Sequence, residues 1–437
     1  MSKNNIVNII GAGLAGCEAA LYLSSNDIKV NLYEMKKIKR TPAQKSDNLG
    51  ELVCSNSLKS TESLSASGLL KLELKQLGSF LLSIAECCAV PSGNSLSVDR
   101  EKFSKTITEK IYSNKNITVI DEIVKNFDIN VPTIIATGPL CDDELFSYIK
   151  TLIGDDNCYF YDAIAPIVSL ESVDMSRAFW GSRYEKGGAD YLNCWLDFDE
   201  YQTFIKELKD AKTVELHSFE KLKVFEGCMP VEVLAKRGDK SLRYGPMKPV
   251  GLSRQVKDGK PYAMVQLRKE NTDGTSLNMV GFQTNLIFSE QKRVFSLIPA
   301  LKNAEFLRYG TMHRNSYINS PKCLNKFSQL KNYPNIFIAG QISGVEGYVE
   351  SIASGLFAAQ NMLRFLQKKP LKSISKNTCI GAIIDYITNE TNEKNFEPMN
   401  ANYGIFVCDK TFTDKKLKKQ YYLERSMEEI EKYKKED

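Results

Sequence analysis

The sequence predicts an α/β chain: a Rossmann-like dinucleotide-binding domain interrupted by an inserted α+β domain. Three observations predict it. Residues 6–20, IVNIIGAGLAGCEAA, read as a buried strand, a glycine-rich turn and a helix. Near the other end, Asn335 to Ala339 reads as a strand, followed by Gly340-Gln341 and a glycine-punctuated loop into a second helix. Between them, from about Tyr161 to Ser320, strands and loops dominate, with Phe179, Trp180, Tyr184, Tyr191, Trp195 and Tyr201 interspersed and no second glycine fingerprint. The expected division is 1–160 for the first part of the nucleotide-binding domain, 161–322 for the insert, and 323–437 for the second part with a helical tail.

The first element is a strand because Ile6, Val7, Ile9 and Ile10 form a short β-branched run. Gly11, Gly13 and Gly16 follow in G-x-G-x-x-G spacing: a sharp turn, room for a pyrophosphate, and close helix packing. The backbone from Gly11 through Ala12, Gly13, Leu14 and Ala15 to Gly16 then aims helix N-terminal amides at phosphates. A second strand from Lys29 ends in Glu34, 18 residues after Gly16, where an acid takes a ribose hydroxyl. Residues 35–45, MKKIKRTPAQK, with Lys39 and Arg40, are either a solvated loop or a strip that contacts phosphates. In ELVCSNSLKS, Cys54 sits among hydroxyl and amide side chains; locally it reads as a core thiol or a chemical one.

Leu69 to Leu82 carries apolar residues at helical spacing, and Cys87 and Cys88 after it read as structural. Asp99 is placed as N-cap of a helix over 100–112. Ile117 to Ile123 reads as a strand, and Thr133 to Gly138 as a strand ending in Thr-Gly, a pattern of chain return beneath a flavin. Within the insert, Gly227 and Met229-Pro230 fix an irregular backbone around Cys228. Lys236, Arg237, Lys240, Arg243 and Lys248 form a second basic strip, with a solvated face as the plainer reading. His313, among Tyr309, Arg314, Asn315 and Tyr317, points to a ligand pocket. Gly344, Gly347 and Gly355 lead into and punctuate a helix over 351–366, whose N-terminus suits the far side of an extended dinucleotide such as FAD. The tail from Thr411 is a charged helix with Leu417, Leu423, Met427 and Ile430 as its apolar stripe.

Composition bounds the function. The 437 residues allow two or three domains, and the formal charge of +5 is a mild tilt toward polyanions. No apolar run approaches the roughly 20 residues that span a membrane, so a cytoplasmic protein without membrane partners is expected. Eleven cysteines without a C-x-x-C pair imply reduced thiols, and two histidines argue against a metal site.

Twelve dispersed segments, among them IIGAGLAGCEAALYL, ELVCSNSLKS, VPSGNSLSVDR, FEGCMPVEVLAKRG, YGTMHRNSYINSP and IFIAGQISGVEGYVESIASGL, together resemble the folate- and FAD-dependent RNA (uracil-5-)-methyltransferases of the TrmFO family, from about residue 5 to 404. The resemblance implies a glutathione-reductase-like FAD-binding fold. It also implies transfer of a one-carbon unit from methylenetetrahydrofolate to carbon 5 of a uridine, with FAD carrying the carbon and NADH or NADPH as reductant. The family's two essential cysteines map onto Cys54 and Cys228, its folate-stacking histidine onto His313, and its flavin-contacting aromatic onto Tyr348, which also serves folate. Gly138, Gly340, Gln341 and Gly347 complete the implied cofactor contacts, and Lys39, Arg40, Arg237 and Arg243 the RNA contacts. The expected partner is tRNA, with 23S rRNA as the alternative and no DNA; monomer and dimer stay open. Other readings are a non-methylating flavoprotein oxidoreductase, an RNA-binding paralogue, and the larger carboxymethylaminomethyl-uridine family, which carries a long C-terminal helical domain that this chain is expected to lack.

Overall fold

The structure, a computed structural model, describes residues 6–435 except 42, 155–157, 186–187, 215–228 and 253–260. β1 (Ile6–Ile10) is covered on both faces, with Val7 and Ile9 fully buried. α1 (Leu14–Ser25) follows, and β2 (Lys29–Glu34) returns parallel to β1, Ile6 opposite Lys29 and Ile10 opposite Tyr33. The sheet runs in the order Gln329–Leu330, Tyr333–Ile338, Thr133–Ile135, β1, β2, Ile117–Asp121, parallel throughout except for its first pair. The long helix Tyr348–Leu366 packs on α1 at a point where a Cβ on Gly355 would lie 2.4 Å from the Ala15 carbonyl oxygen. Chain ends far apart in sequence thus close on one core.

A second sheet, antiparallel throughout, is built from Ala178–Gly181, Tyr191–Leu196, Ala263–Lys269, Ser276–Met279, Ile167–Ser169 and Phe306–Arg308 in that order. Its core is separate, with Leu192, Phe204, Phe282 and Phe295 fully buried. Strands Cys158–Ala163 and Met312–Tyr317 pair antiparallel where the chain passes between the two units. Folding each sheet against its own helices, with the ribbon between, leaves a groove at the carboxyl ends of the parallel strands, where α/β sheets bind ligands.

Several elements differ from the sequence reading. The apolar run from Leu69 to Leu82 is two helices, Ala66–Gln76 and Phe80–Cys87, because Gly78 takes φ +75° and the Ser79 hydroxyl caps the second by accepting from the Leu82 amide. The late helix starts at Tyr348, earlier than the expected 351, because Gly347 supplies the non-helical cap. In the tail helix Lys415–Lys435 the buried side is Tyr422, Ser426, Ile430 and Tyr433, while Leu417 is exposed; ring packing against Tyr403 and Phe406 sets the register. Asp99 does cap Arg100–Tyr112, accepting from the Lys102 amide at 3.0 Å.

Two buried carboxylates tie these helices together. Glu18 accepts from the Phe80 and Leu81 amides at 3.0 and 2.8 Å, and Glu73 from the Cys379 and Ile380 amides at 2.5 and 2.8 Å and from the Ser426 hydroxyl. Burial outweighs these hydrogen bonds and raises both acids to about 7. A carboxyl raised on folding contributes stability that is whole below its unfolded value and lost as pH rises through its folded one. Stability is therefore expected to fall between about pH 4.5 and 7, and Glu18→Gln should flatten that slope by up to about 1.4 kcal/mol per pH unit. Urea unfolding at pH 5, 6 and 7 measures it; an unchanged slope in the variant refutes the assignment.

Candidate active site

The β1–α1 turn opens a cleft of about 1080 Å³ lined by Gly11, Ala12, Gly13, Leu14, Ala15, Glu34, Gly138, Gly340, Gln341 and Tyr348, among others. Each glycine of the triplet has its own cause. Gly11 has φ +102°, and a Cβ there would meet the Ala136 carbonyl oxygen at 2.6 Å. A Cβ on Gly16 would lie 1.9 Å from the Gly11 oxygen, so Gly16 holds the turn on its helix rather than lining the cleft. Gly13 is different: its φ of −75° suits any residue, and a Cβ would have nothing within 4 Å. The protein alone does not require glycine there; a phosphate approaching the α1 N-terminus does. Glu34 is 8% exposed, its two oxygens accepting from the Ala12 and Lys36 amides at 3.0 Å each. That fixes the carboxylate at the mouth of the turn with lone pairs left for ribose hydroxyls. These residues fit a dinucleotide with a pyrophosphate, as FAD has.

A second cavity adjoins the first and shares Val53, Pro139, Leu140, Gln341 and Tyr348 with it. Its wall adds Cys54, Ser55, Lys59, Gln283, Asn315 and Gly347, so it takes residues from both units. Cys54 is half-buried, and its amide donates to the Tyr348 hydroxyl at 2.8 Å. The sequence reading missed the clamp behind Cys54. Arg100 donates to the carbonyls of Leu52 and Cys54, Arg308 to that of Val53 at 2.9 Å, and Arg268 to Ser55 Oγ and Asn56 Oδ1 at 3.1 and 3.0 Å. Only Arg100 among them has a carboxylate, Glu270 at 2.8 Å, among the described residues. With its carbonyls drawn back to guanidinium groups, the loop presents Cys54 to the cavity.

Four other thiols are unsuited to chemistry. Burial pushes those of Cys17, Cys194 and Cys379 far up and that of Cys141 to about 12. Cys228 lies outside the described residues. The backbone of His313 lies on the strand Met312–Tyr317, opposite Asp162; its side chain lies outside the described residues. Gly347 lines the second cavity rather than the first. Of the basic residues, Lys39 pairs with Asp142 at 2.6 Å beside the first cleft and Arg40 with Asp47. Arg237 is exposed on the other unit, and Arg243 donates to the Tyr262 carbonyl and lies 4.4 Å over its ring. The two basic strips thus belong to different units. Among the described residues no group of three His, Cys, Asp or Glu forms a metal cage, and no helix is long and apolar enough to cross a membrane.

Comparison with known proteins agrees with this architecture. Residues 6–370 match the family model described as glucose inhibited division protein A. The chain is 52% identical to the methylenetetrahydrofolate–tRNA-(uracil-5-)-methyltransferase TrmFO of Caldicellulosiruptor bescii, covering 96% of each chain. It is 51% identical to that of Aquifex aeolicus (99% of this chain, 97% of the relative) and 49% to that of Bacillus subtilis (97% and 98%). Among solved structures, Aquifex aeolicus GidA superposes with a TM-score of 0.68 at 15% identity over 98% of this chain and 75% of that one, a likeness of fold alone. The chain belongs to the glucose inhibited division protein A family, in its TrmFO branch.

Proposed function

We propose that this protein methylates carbon 5 of a uridine in RNA, the T-loop uridine of tRNA, using methylenetetrahydrofolate as carbon donor, FAD as cofactor and NADH or NADPH as reductant. The carrying observation is the placement of Cys54 in a cavity that shares its wall, through Tyr348, with a dinucleotide cleft. That placement occurs in a chain about half identical to methyltransferases of that name. Bound FAD supplies the electrons that turn a one-carbon unit into a methyl group. The protein's own residues do the rest. Glu34 and the amides of the first turn hold the ribose and pyrophosphate, and we assign Tyr348 to the flavin and folate rings and His313 to folate.

Uracil carbon 5 is a poor nucleophile until a thiolate adds at carbon 6 and pushes electron density onto it. We assign that addition to Cys228 and the proton handling at carbon 5 to Cys54. Lys39, Arg40, Arg237 and Arg243 are assigned to RNA phosphates, and the protein to the cytoplasm, where tRNA is modified.

The test is methyl transfer from methylenetetrahydrofolate, with NAD(P)H, to unmodified tRNA and to a 23S rRNA fragment. Product on tRNA is expected. Product on rRNA alone overturns the target, and product on neither, from protein that carries FAD, points to an oxidoreductase. Cys228→Ala should abolish the covalent adduct with 5-fluorouridine tRNA on a denaturing gel; loss in Cys54→Ala with retention in Cys228→Ala reverses the two roles.

A further inference from the structure

The second cavity has one cationic side chain in its wall among the described residues, Lys59. We propose that Lys59 is a catalytic residue whose ammonium donates to the oxygen on uracil carbon 4 as negative charge develops there. The inference rests on the methyl-transfer reading above.

Four observations carry it. First, Lys59 holds φ +65°, a conformation rare for a residue with a side chain, although it lies in the strand Ser57–Ser60. Its amide donates to Ser57 Oγ at 3.2 Å. Backbone strain of this kind persists where the surroundings over-determine it, and here it turns a lysine toward a cavity.

Second, the ammonium is aimed. It donates to Glu350 Oε1 at 2.8 Å, and Glu350, in the first turn of Tyr348–Leu366, is fully buried. The same oxygen accepts from the Ala401 amide at 3.0 Å, while Oε2 has no hydrogen-bond partner. Glu350 cannot reorient without losing both contacts.

Third, room is made for the pair. Gly347 has φ +121°, and a Cβ there would lie 2.3 Å from Glu350 Oε2 and 2.8 Å from Lys59 Nζ. The ammonium therefore rests on the peptide that leads into Tyr348, whose hydroxyl receives the Cys54 amide. Lys59, Tyr348 and Cys54 form one continuous wall.

Fourth, Glu350 does not belong to Lys59 alone. Glu350 also faces the buried ammonium of Lys71, which donates to the Ser60 and Ser67 carbonyls at 2.9 and 3.1 Å. One carboxylate is thus shared between two ammonium groups, the carboxylate in the cavity wall, Glu346, accepts from Gln341 Nε2, and Lys59, its side chain 38% exposed, is the one of the two lysines that faces the cavity.

The step that needs this charge is thiolate addition. The sulfur–carbon 6 bond forms, the carbon 5–carbon 6 pair moves toward carbon 4, and its oxygen becomes an enolate. Carbon 5 then bonds to the one-carbon unit of methylenetetrahydrofolate; its proton leaves to a base and the carbon–nitrogen bond to folate breaks with the electron pair staying on nitrogen. A hydride equivalent drawn from NAD(P)H reduces the resulting methylene to methyl, and the sulfur–carbon 6 bond breaks as the carbon 5–carbon 6 double bond re-forms. Lys59 keeps its proton throughout and acts as a fixed donor in a partly enclosed site.

The experiment uses full-length, flavin-loaded protein and reads the single-turnover rate of adduct formation with 5-fluorouridine tRNA, the Kd for tRNA and the KM for methylenetetrahydrofolate. Lys59→Gln should slow adduct formation about a hundredfold, with Kd and KM within about twofold of wild type. Because Lys59→Gln strips Glu350 of its partner, the double variant Lys59→Gln/Glu350→Gln should recover the melting temperature without recovering the adduct rate. An adduct rate in Lys59→Gln within about threefold of wild type overturns the proposal. So does a weakened Kd with a shallower salt dependence, which makes Lys59 a phosphate contact, or a raised KM alone, which makes it a folate carboxylate contact. Failure of the wild type to form adduct or methylated product removes the methyl-transfer reading itself.

Discussion

Gly16→Ala is expected to purify without flavin and to lose about 3 kcal/mol of stability, whereas Gly13→Ala keeps its stability and loses flavin affinity only. The two glycines belong to one motif but answer to different neighbours. A Cβ at Gly16 would stand 1.9 Å from the Gly11 carbonyl oxygen, and its next neighbours are the Gly11 carbonyl carbon and the Ile9 side chain. Backbone has to give, and the backbone that gives is the turn that positions Ala12 over Glu34. At Gly13 the added methyl enters open space beside the α1 N-terminus, and the residue's φ of −75° is already that of ordinary residues. Its only cost falls on whatever approaches the amides. Flavin absorbance per protein after purification, flavin titration of apoprotein and urea unfolding separate the two outcomes. Retention of flavin by Gly16→Ala would refute the packing argument; equal flavin affinity in Gly13→Ala and wild type would remove the pyrophosphate from the turn.

What the sequence made legible was local. The triplet, the apolar strand before it and Glu34 lie within 34 residues, and each has a cause that acts over a few positions: steric room, β-branching, a strand end. Asp99 as a cap was readable for the same reason, since its acceptor role needs only the amide three residues on. The split of the 69–82 helix turned on one residue, Gly78, whose left-handed backbone outweighed an uninterrupted apolar pattern. Cys54 was legible through the motif around it, not through its chemistry. Its setting was not legible at all. The guanidinium groups that hold its loop come from 46, 213 and 255 positions away along the bonded pairs, and nothing periodic marks Arg268 in its strand or Arg308 at the end of another. The Lys59–Glu350 pair spans 291 positions. Polar contacts made across two units depend on the finished tertiary structure, and a pattern of period 2 or 3.6 carries no trace of them.

Glu270→Gln is expected to cost about 3 to 5 kcal/mol and to reduce methyl transfer more than tenfold, although Glu270 touches neither cavity wall. The carboxylate is 5% exposed and accepts from Arg100 Nε and Nη2 at 3.0 and 2.8 Å through one oxygen. Burial and desolvation weigh on all three guanidinium groups of the clamp, and nearby positive charge weighs further on Arg308 and Arg268. Removing the one carboxylate leaves three cations in a half-dry layer between the units. The structure has two ways to relieve this, and both end at Cys54. Arg100 can swing toward water, which releases the carbonyls of Leu52 and Cys54. Alternatively the second unit can draw away, which takes Arg268 from Ser55 and Arg308 from Val53. Either movement loosens the peptide whose amide meets Tyr348, so the effect should appear in kcat and in the alkylation rate of Cys54 more than in flavin content. Glu270→Asp, which keeps the charge on a shorter arm, should recover part of both. A Glu270→Gln protein with wild-type stability and turnover would mean that the clamp holds Cys54 by carbonyl contacts alone and that its charge is immaterial.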